Sequence, residues 1–167
     1  MYFDDIKLGM TVQIAPAVIE KEKMLSFART YDNIPLHTDE EYAKASPFGA
    51  LIAPGVMSFM SVWAKYLEVD FFGKELLAGK STKIEWHKPV YAEDILTGKA
   101  VVTNLTRRSM KNGIVEITIE AYNQNRCQDD FDRTKTKLIC CEQHNRDQRD
   151  FHIKHDLCPL GICLDTG

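Results

Sequence analysis

The chain has 167 residues, 44% of them hydrophobic, and a formal net charge of -3. This length and composition suit one domain with a proper core, with room for an appendage. Acidic and basic residues are interspersed, so the sequence has no basic patch of the kind that binds nucleic acid or an anionic membrane. We therefore expect neither nucleic acid nor a membrane among its partners.

The uncharged segment from Ala45 to Ala64 is long enough to raise the question of a membrane span. Prolines and glycines interrupt it, so a loop followed by a buried helix is the better interpretation. The first ten residues carry acidic side chains where a secretory signal has basic ones. We expect no export signal and a cytoplasmic protein.

Two helices are predicted around a turn in the first third of the chain. Residues 10–19, "MTVQIAPAVI", have the composition of a strand, and residues 20–31, "EKEKMLSFARTY", form an amphipathic helix. Thr38 is the expected N-cap of a second, short helix with an acidic first turn. Asp32 and His37 lie between the helices, and Pro35 separates them, so we place this pair in a turn.

The remaining pattern predicts one central helix followed by several strands. Residues 55–67, "GVMSFMSVWAKYL", have apolar side chains around most of the helix, which is typical of a helix buried on nearly all sides. Strand-like segments follow at residues 79–90, 94–108 and 113–125, the last with alternating apolar side chains. His87 is interpreted as a strand residue. The order predicts an α+β fold in which a sheet wraps the central helix.

The C-terminal part differs from the rest. One further strand is possible at residues 136–141, and periodicity is then lost, so we divide the chain into a domain at 1–142 and an irregular tail at 143–167. All five cysteines follow residue 126, and their odd number argues against a disulfide framework. Cys158 and Cys163 lack a matching second pair, so no metal site is predicted.

Several blocks in the first 125 residues occur together in a recognisable order. They are "FDDIKLGM", "FARTYDNIPLHTDEEYAKASPFG", "LIAPG" and "IEWHKPVYAED". In these blocks the chain resembles the MaoC-like dehydratase family. The resemblance implies a hot-dog fold, a bent antiparallel sheet wrapped around a long apolar helix. It also implies interconversion of trans-2-enoyl and (R)-3-hydroxyacyl thioesters, carried on coenzyme A, without a cofactor.

The resemblance also implies site residues. The catalytic aspartate and histidine of the family fall on Asp32 and His37, and the glycine whose amide polarises the thioester carbonyl falls on Gly55. Hydration of a conjugated double bond needs a base for water and a proton source for C2, which a carboxylate and an imidazole can supply. An amide at a helix N-terminus can stabilise the thioester oxygen. Candidate substrate-binding residues are Phe48, Phe59 and Trp63.

Two alternatives to the hydratase hypothesis remain open. The hot-dog fold also hosts thioesterases, and a fold does not fix a reaction. A non-catalytic domain that binds acyl thioesters is the second alternative. It is motivated by Ile34, where the family motif has asparagine, and by Pro54, where hydratases often have histidine. In each case an open sheet edge favours a homodimer or higher oligomer.

Overall fold

The computed structural model describes residues 1–125 and 134–144. The described residues contain four α-helices, two short 3₁₀-helices (Phe3–Asp5 and Gly73–Glu75) and six strands. The helices are α1 (Lys21–Tyr31), α2 (Pro35–Thr38), α3 (Glu40–Ala45) and α4 (Gly55–Glu68). The strands are β1 (Thr11–Val18), β2 (Leu76–Ala78), β3 (Ser81–Glu85), β4 (Ile95–Arg107), β5 (Asn112–Tyr122) and β6 (Thr134–His144).

All six strands belong to one sheet with antiparallel pairing. The order is β1-β4-β5-β6-β2, and β3 also pairs with β6. Helix α4 packs against β1 and β4. The apolar positions predicted for β5 are all buried, and they form part of the core: Val115, Ile117, Ile119 and Ala121. The architecture is the expected α+β arrangement of an antiparallel sheet and a long helix, the hot-dog fold.

Helix α4 is buried along one side only in the single chain. Met57, Val62 and Tyr66 face the core, whereas Val56 and Met60 are about half exposed. The expectation of burial on nearly all sides was therefore wrong for the isolated chain. The sheet covers one side of the helix, and the apolar side chains on the other side stay accessible.

The cap of α3 is also one residue later than predicted. Asp39 is the N-cap, and its Oδ1 accepts hydrogen bonds from the amides of Glu41 and Tyr42, each at 3.0 Å. The hydroxyl of Thr38 instead donates to the carbonyl of Ile34. Thr38 ends α2, so its side chain points back along that helix and cannot cap the next one.

The predicted strand at residues 136–141 is confirmed and is longer than expected, since β6 runs from Thr134 to His144. It thus passes the boundary proposed at residue 142. Cys158 and Cys163, together with the rest of the tail from residue 145, lie outside the described residues. The division of the chain into a domain at 1–142 and a tail at 143–167 stays a prediction. In the described ranges, none of the helices has the length and apolar character needed to cross a membrane.

Glu93 connects the β3–β4 loop to the start of α1. Its side chain accepts a hydrogen bond from the amide of Lys21, the first residue of α1, at 3.1 Å. Its own amide donates to the carbonyl of Ile19 at 2.8 Å. The backbone of Glu93 has φ +65°, a left-handed conformation that strains most residues other than glycine. At Glu93 the capping contact therefore stabilises the fold, and the left-handed backbone destabilises it.

We expect Glu93→Ala to lower the free energy of unfolding by about 1 kcal/mol, because it removes the acceptor for the α1 amide and keeps the strained backbone. Glu93→Gly also removes the acceptor, but it relieves backbone strain of about 1 kcal/mol. Its free energy of unfolding should therefore be close to that of the wild type. Urea denaturation of the three proteins measures both effects. A glycine variant no more stable than the alanine variant would show that the left-handed backbone carries little strain here.

Candidate active site

Asp32 lies at the end of α1, where the helix stops. Its amide still donates to the carbonyl of Ala28, while its φ and ψ of -151° and 61° leave the helical region. The amide of Ile34 then donates back to the Asp32 carbonyl at 2.9 Å. The chain turns sharply, and the Asp32 side chain stays partly exposed, at 43%.

His37 lies on a one-turn helix and not in a turn, which corrects the sequence prediction. Pro35 occupies the first turn of α2, where its missing N–H costs nothing, so the proline begins this helix. The amide of His37 donates to the carbonyl of Ile34 at 3.0 Å. The imidazole is buried, with its side chain 8% exposed.

The two ring nitrogens of His37 have different partners. Nδ1 lies 2.7 Å from the carbonyl oxygen of Ile52. Because a carbonyl only accepts, Nδ1 must carry a proton and donate it. Nε2 lies 3.4 Å from Oδ2 of Asp32. In the neutral imidazole, Nε2 therefore offers a lone pair beside a carboxylate oxygen, and two acceptors stand next to each other.

The position of the Ile52 carbonyl is set by the segment that precedes α4. Ile52 forms an isolated antiparallel bridge with Tyr91, and the amide of Ala53 donates to the carbonyl of Val90 at 2.7 Å. This short pairing holds residues 52 and 53 against the loop after β3. The His37 acceptor therefore belongs to a fixed part of the backbone.

Ile34 does not disturb the loop in which it replaces the asparagine of the family motif. Its side chain is exposed, at 45%. Its backbone carbonyl accepts from the amide of His37 and from the hydroxyl of Thr38, each at 3.0 Å. One backbone and one side-chain hydrogen bond to the Ile34 carbonyl thus support the Asp32–His37 loop, and neither involves the side chain of residue 34.

Asp32 and His37 open into a cleft of about 450 Å³ that also contains Gly55. Gly55 is the first residue of α4 and follows the buried Pro54. An amide in this position has no acceptor in the preceding turn of its own helix, so it can donate to a ligand. The other residues of the lining are Phe48, Ile52, Ala53, Val56, Ser58, Trp86, His87, Lys88, Pro89 and Val90.

A protein side chain occupies the space beside Gly55. A Cβ atom added there would lie 2.5 Å from Cε2 and 2.6 Å from Nε1 of Trp86. Those distances are far below van der Waals contact, so only glycine lets the indole lie against this turn of α4. The glycine at residue 55 is therefore required by Trp86, a side chain of the protein itself.

The structure brings together Asp32, His37, Gly55 and Phe48 from the sequence prediction. Phe59 and Trp63 are not in the cleft lining. Their rings stack at a centroid distance of 6.1 Å, and both pack against the core. Their role in binding substrate stays a prediction.

Sequence reasoning missed four contributors to the cleft. They are the Ile52 carbonyl, Ser58, Trp86 and His87. His87 was interpreted as a strand residue, but β3 ends at Glu85, and His87 lies in the following loop. Trp86 and His87 stand between Glu85 and Lys88, directly before Pro89, and this composition could have indicated a loop at the edge of a site. A backbone carbonyl leaves no mark in the sequence.

An ion pair connects the two helices that flank α2. Nζ of Lys21 on α1 lies 2.7 Å from Oε1 of Glu40 on α3. The hydrogen bond from Lys21 lowers the pKa of Glu40, and the same bond raises the pKa of Lys21. Both side chains are exposed, so solvent screening leaves this pair little effect on stability.

Among the side chains of residues 1–125, no group of three or more histidine, cysteine, aspartate or glutamate residues is arranged to hold an ion. The candidate site consists of a carboxylate, an imidazole with a fixed tautomer, and a helix-start amide around one cleft.

A hot-dog domain whose Asp–His pair shares a cleft with the first residue of its long helix defines the class of this protein. Residues 5–125 match the family described as the MaoC-like domain, which is more than half of the chain. The chain belongs to the MaoC-like domain family, as the sequence blocks predicted.

Individual relatives agree with this assignment. The uncharacterised protein YdeM of Bacillus subtilis is 28% identical over 127 residues, which cover 74% of this chain and 89% of YdeM. An (R)-specific enoyl-CoA hydratase of Rhodospirillum rubrum is 35% identical over 57 residues, 34% of this chain and 40% of that enzyme. The structure of a monoamine oxidase regulatory protein from Archaeoglobus superimposes with a TM-score of 0.78 at 25% identity. It covers 87% of this chain and 95% of that one.

The contact between Gly55 and Trp86 can be tested by a double-mutant cycle. Gly55→Ala should lower the free energy of unfolding by about 1 kcal/mol, because the indole must leave its rotamer. In a Trp86→Ala background the same change should be neutral or stabilising, since alanine is the better helix former. Denaturant unfolding of the four proteins measures the coupling. Equal effects of Gly55→Ala in both backgrounds would contradict the contact.

Proposed function

We propose that this protein is a hydratase/dehydratase that interconverts trans-2-enoyl and (R)-3-hydroxyacyl thioesters of coenzyme A. One observation carries the proposal. Nε2 of His37, with its tautomer fixed by Ile52, lies 3.4 Å from the Asp32 carboxylate at the wall of a cleft that contains Gly55. Dehydratase and hydratase chemistry is common to the family as a class, and the substrate is our proposal for this chain.

Two adjacent acceptors are suited to hold one water molecule. Water can donate one hydrogen to Nε2 of His37 and the other to the carboxylate of Asp32. Its oxygen lone pair then remains free to attack C3 of an enoyl thioester. A proton passes from the water to the pair, and a proton from the pair goes to C2. The sum is one water added across the double bond, and dehydration follows the same steps in reverse.

The negative charge that forms during the attack needs stabilisation at the thioester oxygen. The amide of Gly55 opens α4, a helix of 14 residues, so the positive end of the helix dipole lies at that amide. In other enzymes, a single donor aimed at a developing oxyanion contributes about 10²-fold or more to rate. Gly55 thus supplies the third function that hydration requires.

One relative supports the thioester class and the stereochemistry. The Rhodospirillum rubrum protein is named an (R)-specific enoyl-CoA hydratase, and its match covers 57 residues, 34% of this chain. We take the carrier and the (R) configuration of the product from that relative.

Loss of the enoyl absorbance of crotonyl-CoA, a short trans-2-enoyl thioester, tests the proposal. We expect the wild type to consume the conjugated double bond without releasing free thiol. Asp32→Asn, which preserves size, should lower kcat/KM at least about 100-fold, because an amide cannot take the proton. His37→Gln should have a loss of the same order.

Two controls make this test decisive. Circular dichroism and denaturant unfolding must show that both variants are folded, since the buried His37 also holds the Ile52 carbonyl. Glu41→Gln on α3, an exposed carboxylate change outside the cleft lining, should leave the rate unchanged. Release of free thiol at the rate of enoyl loss would assign a thioesterase instead. Inactivity of folded wild type on short and medium chains would overturn hydration and favour a binding domain.

We further infer that the protein is a homodimer or a higher homo-oligomer. Helix α4 leaves Val56, Met60 and Leu67 about half exposed, and β1 lies at one edge of the sheet. Association with a second copy would bury these apolar side chains and cover the edge of the sheet.

Light scattering coupled to size exclusion measures this directly. We expect the wild type to have a mass of at least twice 19.1 kDa, the mass of one chain, at micromolar concentration. Met60→Glu places a charge on the exposed side of α4, and it should lower the mass toward that of one chain. A wild type that elutes as a 19.1 kDa species would exclude the homo-oligomer.

A further inference from the structure

Trp86 has an unusual position for a large aromatic side chain. Its indole packs against the first residue of α4, as shown by the 2.5 Å between Cε2 and a Cβ built on Gly55. Yet 51% of the residue is exposed, and it lines the cleft that contains Asp32 and His37. The indole therefore has one part against the helix start and another part open to the cleft.

The direction of this contact places the indole beside the Gly55 amide. In an α-helix the Cα–Cβ bond tilts toward the N-terminus. The amide of the first helical residue also points out of the N-terminal end. Cε2 of the indole lies 2.5 Å from the position that a Cβ of residue 55 would take, so the indole lies at the same end of α4 as the Gly55 N–H. A ligand oxygen that accepts from Gly55 brings its neighbouring atoms close to Trp86.

The backbone around Trp86 is anchored on both sides. β3 pairs with β6 up to Glu85, directly before Trp86. A few residues later, the carbonyl of Val90 accepts from the amide of Ala53 at 2.7 Å, next to the residue that fixes His37. The backbone is therefore held on both sides of Trp86, and the indole lines the same cleft as the Asp–His pair.

We propose that Trp86 is a substrate-contacting residue that holds the thioester group against the Gly55 amide. The proposal rests on the thioester function above and adds to it a residue that nothing in the sequence blocks assigns. A planar enoyl thioester offers a flat π-system, and an indole edge or face beside it gives contact area with little loss of conformational freedom. Trp86 would then limit which groups next to the carbonyl fit the site.

Fluorescence distinguishes this role because the chain has only two tryptophans, Trp63 and Trp86. In the Trp63→Phe protein, all tryptophan emission comes from Trp86. Butyryl-CoA, a saturated thioester that cannot be hydrated, should change that emission in a saturable way. The matched Trp86→Phe protein, in which Trp63 alone emits, should show a smaller change, because Trp63 is outside the cleft lining. Excitation beyond the adenine absorption avoids interference from the carrier.

Calorimetry gives the second readout. Trp86→Ala should weaken butyryl-CoA binding about 2- to 10-fold, the loss expected for one aromatic contact. Trp86→Phe should recover most of that affinity, because it keeps a flat ring. With crotonyl-CoA, Trp86→Ala should raise KM more than it lowers kcat, since Trp86 moves no proton.

The outcomes separate this proposal from the proposed function. The proposal fails if the wild type hydrates crotonyl-CoA but Trp86 emission is unchanged at saturating butyryl-CoA. Trp86 then only packs against the first turn of α4. The proposal also fails if free coenzyme A alone gives the full change in Trp86 emission, because Trp86 then contacts the carrier and not the thioester. It fails as well if butyryl-CoA does not bind the wild type. If Trp86 responds and the wild type does not turn over, hydration fails and the thioester contact stands.

Discussion

The hydrogen bond between Nδ1 of His37 and the carbonyl of Ile52 is the interaction on which the candidate site depends. It fixes the proton on Nδ1, and so it presents the lone pair of Nε2 to the Asp32 carboxylate 3.4 Å away. Without this acceptor, Nδ1 of the buried imidazole would lose its hydrogen-bond partner. Nothing would then favour the tautomer with the proton on Nδ1. The chemistry proposed for the cleft follows from this one backbone oxygen.

The fold builds that arrangement from short-range and long-range constraints together. Pro35 begins the one-turn helix that carries His37, and the end of α1 positions Asp32. The segment before α4 is held to residues 90 and 91, which come from the loop after β3. The same loop contributes Trp86, whose indole requires glycine at residue 55. Acid–base pair, amide donor and indole thus meet where three separate parts of the chain converge.

Much of this could be predicted from the sequence, for physical reasons that differ between elements. Alternation in β5 predicted its buried positions because strand side chains alternate between faces. Asp32, His37 and Gly55 came from a resemblance in spacing, which also indicated the family. Two predictions failed for different reasons. Thr38 ends the one-turn helix α2, which the sequence pattern did not show, so Asp39 caps α3 in its place. Helix α4 was expected to be buried on nearly all sides, but one chain covers only one side of it. Local propensity cannot tell which residue a helix end selects, nor whether another chain covers an apolar face. The Ile52 carbonyl and the Gly55–Trp86 contact depend on atoms far apart in sequence, so no pattern could reveal them.

Hydration of crotonyl-CoA in D₂O, followed by NMR of the product, tests the central claim most directly. The account predicts (R)-3-hydroxybutyryl-CoA with an intact thioester and one deuterium at C2, because the Asp32–His37 pair delivers a solvent-derived proton there. An (S) product, free coenzyme A with crotonate, or unchanged crotonyl-CoA carrying no deuterium would contradict it.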